Sequence, residues 1–221
     1  GDTVLRINGD SSKILKVERV LLNILGKLSG IATSTNEWVT ISDNIGIACT
    51  RKTDWGLLDK WAVHIGGGLT HRLDRKDALM IKENDLSSIK EGNEKDSDII
   101  KRIILDIDSK QNCKFIVIEV QNLEQAIAAA KSWTKLQEKI NMNNPIVLLL
   151  DNMEFSQIVD VVRELKLLNL RKSCILEGSG GITIGSIPKW DSSGVDLIST
   201  SAVNRGVMPL DLSMIIEGDD E

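Results

Sequence analysis

Short runs of consecutive apolar residues alternate along the chain with segments whose apolar residues recur every three or four positions. The runs are rich in β-branched residues, as buried strands are, whereas the recurring spacing is typical of helices that bury one face. Strands and helices that alternate in this way form parallel sheets with covered faces. The predicted strands span residues 45–50, 78–82, 114–120, 146–151, 173–177, 195–200 and 210–216.

Helical periodicity is clearest in four segments. The first begins at Ser12, with Ser11 or Ser12 as its N-cap, and is expected to end near Gly30. The others carry their apolar positions within residues 99–107, 123–140 and 158–168. With about seven strand and helix repeats, the pattern favours a closed or nearly closed α/β barrel over an open doubly wound sheet.

Composition and charge narrow the class of function. The chain has 221 residues, 42% hydrophobic and 27% charged, as in an ordinary globular protein. Its net charge of -5 argues against a nucleic-acid partner, so any anion site has to be local. Three scattered cysteines form neither a disulfide framework nor a zinc motif, which favours the cytoplasm. Since no apolar run approaches the length of a membrane span, we expect no membrane partner.

Polar residues stand where the predicted strands end. In a parallel barrel these ends share one rim, the face on which barrel enzymes build their active sites. Unpaired charges are costly to bury, so such a set is expected to be paired or to bind a ligand. The residues are Arg51 and Lys52 after the first strand, Lys82 at the end of the second, Glu119 in the third, Asp151 in the fourth and residues 178–181 after the fifth.

The residue types at this rim indicate an anionic substrate. Three cations suit carboxylates or phosphates, while two carboxylates suit ribose hydroxyls or magnesium. The turn "EGSGG", residues 177–181, offers backbone N–H groups without side-chain obstruction, as a phosphate-binding turn does. A second glycine-rich stretch, "HIGGGLTHR" at residues 64–72, places His71 and Arg72 before the strand that ends at Lys82, and His64 is given no role.

Seven motifs, in this order, resemble those of quinolinate phosphoribosyltransferase, also called nicotinate-nucleotide pyrophosphorylase (carboxylating). The resemblance runs from about Gly9 to the last predicted strand. It implies an incomplete α/β barrel of about seven strands, residues 11–221, preceded by an N-terminal α/β sandwich domain of which residues 1–10 would be the end. The motifs are "VERVLLNILGKLSGIAT", "TRKTDWGLLDKWAVHIGGGLTHR", "LMIKEND", "IEVQNLEQA", "LLLDNM", "EGSGGIT" and "GVDLIST".

The resemblance also implies a reaction and a set of residue roles. The reaction is the magnesium-dependent conversion of quinolinate and phosphoribosyl pyrophosphate into nicotinate mononucleotide, carbon dioxide and pyrophosphate, in a homodimer or larger assembly with shared active sites. The implied roles are Arg51, His71, Arg72 and Lys82 around the quinolinate carboxylates, Lys52 at the pyrophosphate, Glu119 and Asp151 at the ribose and magnesium, Ser179, Gly180, Gly181 and Ser201 at the 5-phosphate, and Arg19 in the neighbouring subunit's site.

Departures from the family pattern leave two alternatives open. The family usually has Pro at Trp55, an Asn-His pair at Asn84 and Asp85, and Gly at Ser201. The negative charge of Asp85 beside Lys82, together with Trp55, favours as an alternative a related transferase that uses another small acid. Ser201 and the missing N-terminal domain favour a non-catalytic ligand-binding paralogue. We also expect a longer polypeptide or a separate small subunit to supply that domain.

Overall fold

Six parallel strands form one curled sheet, a half-barrel, in the order β1-β6-β5-β4-β3-β2. The computed structural model describes residues 2–74, 76–107 and 113–217 of the chain. Within them the predicted α/β architecture is confirmed. The strands are β1 (Gly46–Cys49), β2 (Ala78–Ile81), β3 (Phe115–Val120), β4 (Ile146–Asp151), β5 (Cys174–Ser179) and β6 (Leu197–Thr200).

Helices connect the strands and cover the convex face of the sheet. The predicted helices at residues 99–107, 123–140 and 158–168 correspond to three of them, whereas the short helix after β2 was not predicted. Within the described chain, none of these helices is long and apolar enough to cross a membrane. They are α1 (Ser11–Ile41), α2 (Leu57–Ile65), α3 (Glu83–Ser88), α4 (Asp96–Asp106), α5 (Leu123–Ile140), α6 (Phe155–Leu167) and α7 (Ile187–Asp191), with 3-10 turns at Arg171–Ser173 and Ile184–Ser186.

Alternate residues of each strand face opposite sides of the sheet. On the outer side, residues such as Leu148 and Leu150 belong to the large core beneath the helices. On the inner side, Val117, Val147 and Leu149 form a second, smaller cluster. Because both faces are covered, the strands are continuous apolar runs. The inner face becomes polar only near the carboxyl ends of the strands, and this change positions the candidate site.

The first helix and the last segment differ from the sequence prediction. Residues 210–216 form no strand, so the prediction of a seventh strand there is wrong. This segment instead approaches α1, where the N–H of Leu210 donates to the carbonyl of Gly26 at 2.9 Å. The helix does not end near Gly30 but continues to Ile41, and its N-cap is Asp10, whose carboxylate accepts the N–H of Lys13.

Glycines in α1 make room for the C-terminal segment. A Cβ on Gly30 would lie 2.2 Å from the carbonyl oxygen of Met208, and one on Gly26 would lie 2.7 Å from that of Leu210. Such distances are far inside van der Waals contact. Gly30 is therefore a packing residue within the helix and does not stop it.

We expect Gly30→Ala to lower the free energy of unfolding by about 1–3 kcal/mol, because the added methyl group meets backbone that cannot move away cheaply. In an uncrowded helix the same change would raise stability by roughly 0.5–1 kcal/mol, so the sign alone is informative. Gly185→Ala, where a Cβ meets nothing within 4 Å, is the matched control. Urea unfolding measures both. A stabilised Gly30→Ala protein would contradict this packing.

Candidate active site

The segment that follows β1 presents two cations to solvent. We call residues 50–56 the cation loop, because both Arg51 and Lys52 are exposed on it. Three contacts hold this loop in place. The N–H of Asp54 donates to Asp59 Oδ2 at 2.8 Å, the side chain of Asp54 pairs with Lys27 at 3.1 Å, and the carbonyl of Lys52 accepts the amide of Asn204 at 3.0 Å.

Asp59 and Asn204 form a buried polar pair beneath the cation loop. Both residues are 0% exposed, and Asn204 Nδ2 lies 3.4 Å from Asp59 Oδ2. Asn204 comes shortly after β6, so the pair ties the loop after β1 to the loop after β6. Among the described residues, Asp59 Oδ1 and Asn204 Oδ1 have no hydrogen-bond partner. Buried oxygens of this kind are usually satisfied by ordered water, which can make several bonds at such a site.

Lys60, next to Asp59 in α2, is also buried, with 3% of its surface exposed. Its ammonium donates to the carbonyl of Thr70 and lies 3.6 Å from the Cys49 sulfur. Burial lowers the pKa of Lys60; contact with Cys49 opposes this shift, while the charges of Arg51 and Arg72 add to it. Lys60 therefore lies near both Arg51 and Arg72, and its bond to the Thr70 carbonyl fixes the segment that carries Arg72.

Helix α2 buries two charged residues and exposes its large apolar residues, which the sequence analysis did not predict. Its buried face carries Asp59 and Lys60 together with Ala62 and Val63. Its large apolar residues are instead exposed, namely Leu57 at 64%, Leu58 at 47%, Trp61 at 60% and Ile65 at 62%. Asp59 lies three residues before Ala62, and Lys60 lies three residues before Val63. This spacing already indicated that the charged and the small apolar residues share one face of the helix. That signal was available, but it conflicts with the rule that charges face water.

The segment after α2 runs along the free edge of β1. Leu69 exchanges backbone hydrogen bonds with Ile47 and Cys49, at 2.7 and 3.0 Å. The segment then reaches His71, whose backbone has a positive φ of 52°. The His71 ring Nε2 lies 2.8 Å from Glu177 Oε2. Its Nδ1 accepts the backbone N–H of Arg72 at 2.7 Å.

Glu177 is a site residue that the sequence analysis did not single out. It lies in β5 with 1% of its surface exposed. Its strand register places it beside Leu149, which in turn pairs with Glu119. The alternation of Glu177 with Ser179 on one face of β5 was the available signal. The two buried carboxylates, Glu119 and Glu177, thus face the inside of the half-barrel at the same height.

Lys82 and Glu119 form an ion pair inside the rim. Lys82 Nζ contacts Glu119 Oε2, and Glu119 is 8% exposed. Asp85, which was expected to add negative charge beside Lys82, instead has a role in capping the next helix. Its carboxylate accepts the backbone N–H of Lys82 at 2.8 Å and so caps α3. The Asp85 charge is therefore directed at a helix N-terminus, which stabilises it.

The turn after β5 combines a carboxylate with open backbone. Ser179 Oγ donates to Asp151 Oδ1 at 2.6 Å, and Asn152 Nδ2 donates to Asp151 Oδ2 at 2.9 Å. Gly180 has a φ of +98°, and a Cβ there would lie 2.1 Å from Asn152 Oδ1, so glycine is required. A Cβ on Gly181 would meet nothing within 4 Å. The backbone at this turn is therefore accessible to a ligand.

The two remaining candidate residues are Ser201, which lies on the same rim as this turn, and Arg19, which has no polar contact to the rim among the described residues. Ser201 follows β6, and two positions earlier Ser199 pairs with Ser179, so Ser201 is on the same rim. Arg19 lies in the exposed first part of α1, with 74% of its side chain accessible and Glu18 as an ion-pair partner at 4.0 Å. Within the described chain, Arg19 has no hydrogen bond or ion pair to the rim residues.

Comparisons with known proteins identify the same family throughout. Residues 31–215 match the model of the quinolinate phosphoribosyl transferase C-terminal domain. A probable nicotinate-nucleotide pyrophosphorylase (carboxylating) of Methanothermobacter thermautotrophicus is 37% identical over 99% of this chain. The chloroplastic nicotinate-nucleotide pyrophosphorylase (carboxylating) of Arabidopsis thaliana is 34% identical over 96% of it. The structure of the Francisella tularensis nicotinate-nucleotide pyrophosphorylase has 33% identity and a TM-score of 0.72 over 93% of it.

All three proteins are longer than this chain. The chain spans 74% of the Methanothermobacter protein and 60% of the Arabidopsis protein. It spans 66% of the Francisella chain.

We expect Asn204→Ala to lower stability by about 1–3 kcal/mol, because it leaves the Lys52 carbonyl and the buried Asp59 carboxylate without their shared donor. The affinity for inorganic pyrophosphate should fall at least about threefold as the cation loop loses its anchor. Urea unfolding and isothermal calorimetry measure the two effects. Asn143→Ala, at an exposed asparagine, is the control. A folded Asn204→Ala protein with wild-type pyrophosphate affinity would show that the anchor does not matter.

Proposed function

The chain belongs to the quinolinate phosphoribosyltransferase family, and from this premise we propose that it transfers a phosphoribosyl group from phosphoribosyl pyrophosphate to quinolinate. The products are nicotinate mononucleotide, carbon dioxide and pyrophosphate, a step of NAD biosynthesis. The observation that carries the proposal is a single rim formed by the carboxyl ends of the parallel strands, which carries both the cation loop after β1 and the turn of Asp151 and Ser179 at the ends of β4 and β5. That arrangement suits a reaction in which two polyanions must be held together.

The acid would be held by Arg51 and Arg72, which lie between β1 and β2 in the sequence, and by Lys82, which directly follows β2. Arg51 and Arg72 both lie close enough to Lys60 to repel it. A guanidinium binds a carboxylate through two parallel hydrogen bonds, whereas an ammonium acts as a compact point charge. We assign the two arginines and Lys82 to the two carboxylates of quinolinate. Lys52, further along the cation loop, is assigned to the pyrophosphate group.

The 5-phosphate would bind at the turn after β5. The Ser179 hydroxyl is already donated to Asp151, so the phosphate would be held mainly by backbone N–H groups around Gly180 and Gly181. Ser201 lies on the same rim and can add a hydroxyl donor. Asp151, which accepts the Ser179 hydroxyl beside this turn, would meet the ribose hydroxyls.

The chemistry needs electrostatic stabilisation more than a nucleophile. As the bond from ribose C1 to pyrophosphate breaks, its electron pair leaves with pyrophosphate, and positive charge develops on the ribose. Glu119 and Asp151 are the carboxylates that can stabilise this charge while the pyridine nitrogen forms the new bond to C1. The bond to the 2-carboxylate then breaks, carbon dioxide leaves, and the electron pair remains on ring carbon 2 beside the positive nitrogen until it takes up a proton.

We propose that magnesium enters this site together with the phosphates of the substrate. Within the described chain, no three His, Cys, Asp or Glu side chains form a group that could hold a metal ion. Magnesium in phosphoryl and pyrophosphoryl sites is commonly bound by one or two carboxylates together with substrate oxygens. Glu119 and Asp151 supply two carboxylates on neighbouring strands. When bound there, magnesium would neutralise the charge of the leaving pyrophosphate.

Purified protein supplied with quinolinate, phosphoribosyl pyrophosphate and magnesium should release carbon dioxide and pyrophosphate in equal amounts, at a rate on the order of 1 per second or more. Chelation of the metal should stop the reaction, and Asp151→Asn should require more magnesium for half-maximal rate. Radiolabelled carbon dioxide and enzymatic detection of pyrophosphate give the two readouts. A correctly assembled protein that shows no turnover would refute the proposed function.

We also propose that the active site is completed in a homodimer. The exposed apolar face of α2, with Leu57, Trp61 and Ile65, is a surface that a partner would cover. Arg19 has no polar contact to the rim of its own chain within the described residues, which suits a role in a neighbouring site.

The three cysteines are free, which is consistent with a reducing compartment such as the cytoplasm.

A complementation experiment tests the shared site. Arg19→Ala and Lys52→Ala proteins are expected to be nearly inactive alone, but a heterodimer of the two contains one site with neither defect. Its activity should be about half that of the wild-type dimer. The variants carry different tags and are co-expressed so that heterodimers can be isolated. The control heterodimer of Lys52→Ala with Lys82→Met leaves a defect in each barrel and should stay inactive. No recovery in the first heterodimer would place Arg19 in the site of its own barrel, and an Arg19→Ala protein that is fully active alone would place it in none.

A further inference from the structure

The His71 ring is held from three directions. Its Nε2 lies 2.8 Å from Glu177 Oε2, and its Nδ1 lies 2.7 Å from the backbone nitrogen of Arg72. The ring of Phe115 packs edge-on against it with centroids 5.8 Å apart. The side chains of His71 and Glu177 are 7% and 1% exposed, so water has little access to either.

These contacts are compatible with one protonation form of the imidazole. An N–H of the backbone can only donate, so Nδ1 has to accept and carries no proton. The ring proton then resides on Nε2, where it is donated to the Glu177 carboxylate. Both ring nitrogens are therefore used within the protein, and neither is available to a substrate carboxylate in this arrangement.

The positive φ of His71 links this ring to the position of Arg72. A φ of 52° is uncommon outside glycine, and such a backbone is maintained only when its surroundings fix it. On one side, Lys60 holds the carbonyl of Thr70. On the other, the His71 ring accepts the N–H of Arg72. The backbone around His71 is thus fixed at both of its neighbours.

We infer that Glu177 is a positioning residue, which orients His71 so that its ring fixes the backbone of Arg72 and thereby directs the Arg72 guanidinium toward the acid substrate. The inference rests on the proposed function for the identity of that acid. It changes the expected role of His71 from a direct ligand of the quinolinate carboxylates to an internal support. The carboxylate of Glu177, in β5, thereby links the sheet to a segment that is outside the six strands.

Two variants at position 177 separate hydrogen bonding from charge. Glu177→Gln keeps an oxygen that can accept the Nε2 proton, so the Michaelis constant for quinolinate should stay within about threefold of wild type. Glu177→Ala removes the acceptor, and the same constant should rise about tenfold or more. The Michaelis constant for phosphoribosyl pyrophosphate should change much less in both. Equal effects of Gln and Ala, or no effect of Ala, would overturn the inference.

A spectroscopic readout is independent of activity. The chain has two histidines, so long-range nitrogen and proton correlation spectra of the wild type and of His64→Gln assign the His71 ring. We expect the Nε2-protonated form in the wild type and in Glu177→Gln. An Nδ1-protonated His71 would overturn the inference even if turnover is observed. If turnover is absent while the expected form is present, the proposed function fails and the support of Arg72 by His71 stands. If Glu177→Ala does not fold, the spectra and the Gln variant still decide.

Discussion

Mutual repulsion between cations gathered at one rim is the constraint on which the arrangement of this site depends. Burial is the main cause that lowers the pKa of Lys60; its contact with Cys49 opposes the shift, and the charges of Arg51 and Arg72 add a smaller lowering. Without other contacts, such side chains would move apart into solvent. Here each is carried by a backbone segment that hydrogen bonds from buried residues hold in place. Asp59 and Asn204 fix the cation loop, and Lys60 fixes the segment before Arg72.

The supports of the site are distinct from the groups that face a ligand. Asp59, Lys60 and Asn204 are almost completely buried, whereas Arg51 and Lys52 are exposed. Buried polar groups of this kind are costly unless they are paired, but when paired they fix one geometry. An anion that enters the rim would therefore meet charges whose positions are already set. This pre-organisation is what a reaction between two polyanions requires, because little energy is then spent on rearranging the protein.

The sequence predicted the parts of the fold that depend on local pattern. The strand Ile146–Asp151 was predicted with its observed bounds, since a continuous apolar run in a parallel sheet is buried on both faces. The converging strand ends predicted one rim of polar residues that are paired or bind a ligand, and two such pairs are present, Lys82 with Glu119 and Asp151 with Ser179.

What the sequence did not reveal depends on contacts between distant segments. Gly30 was interpreted as a helix end because its true partner, the backbone at Met208, is far away in the chain. The buried charges of α2 and the pairing of Glu177 with His71 were missed for the same reason.

The central claim is that the rim binds a dicarboxylate between Arg51, Arg72 and Lys82. A crystal structure of the complete assembly with bound quinolinate tests it most directly. The account predicts that both carboxylates contact these three cations, with the ring nitrogen directed toward Asp151 and the turn at Gly180. Quinolinate bound away from this rim, or bound there without contact to the two arginines, would contradict the account.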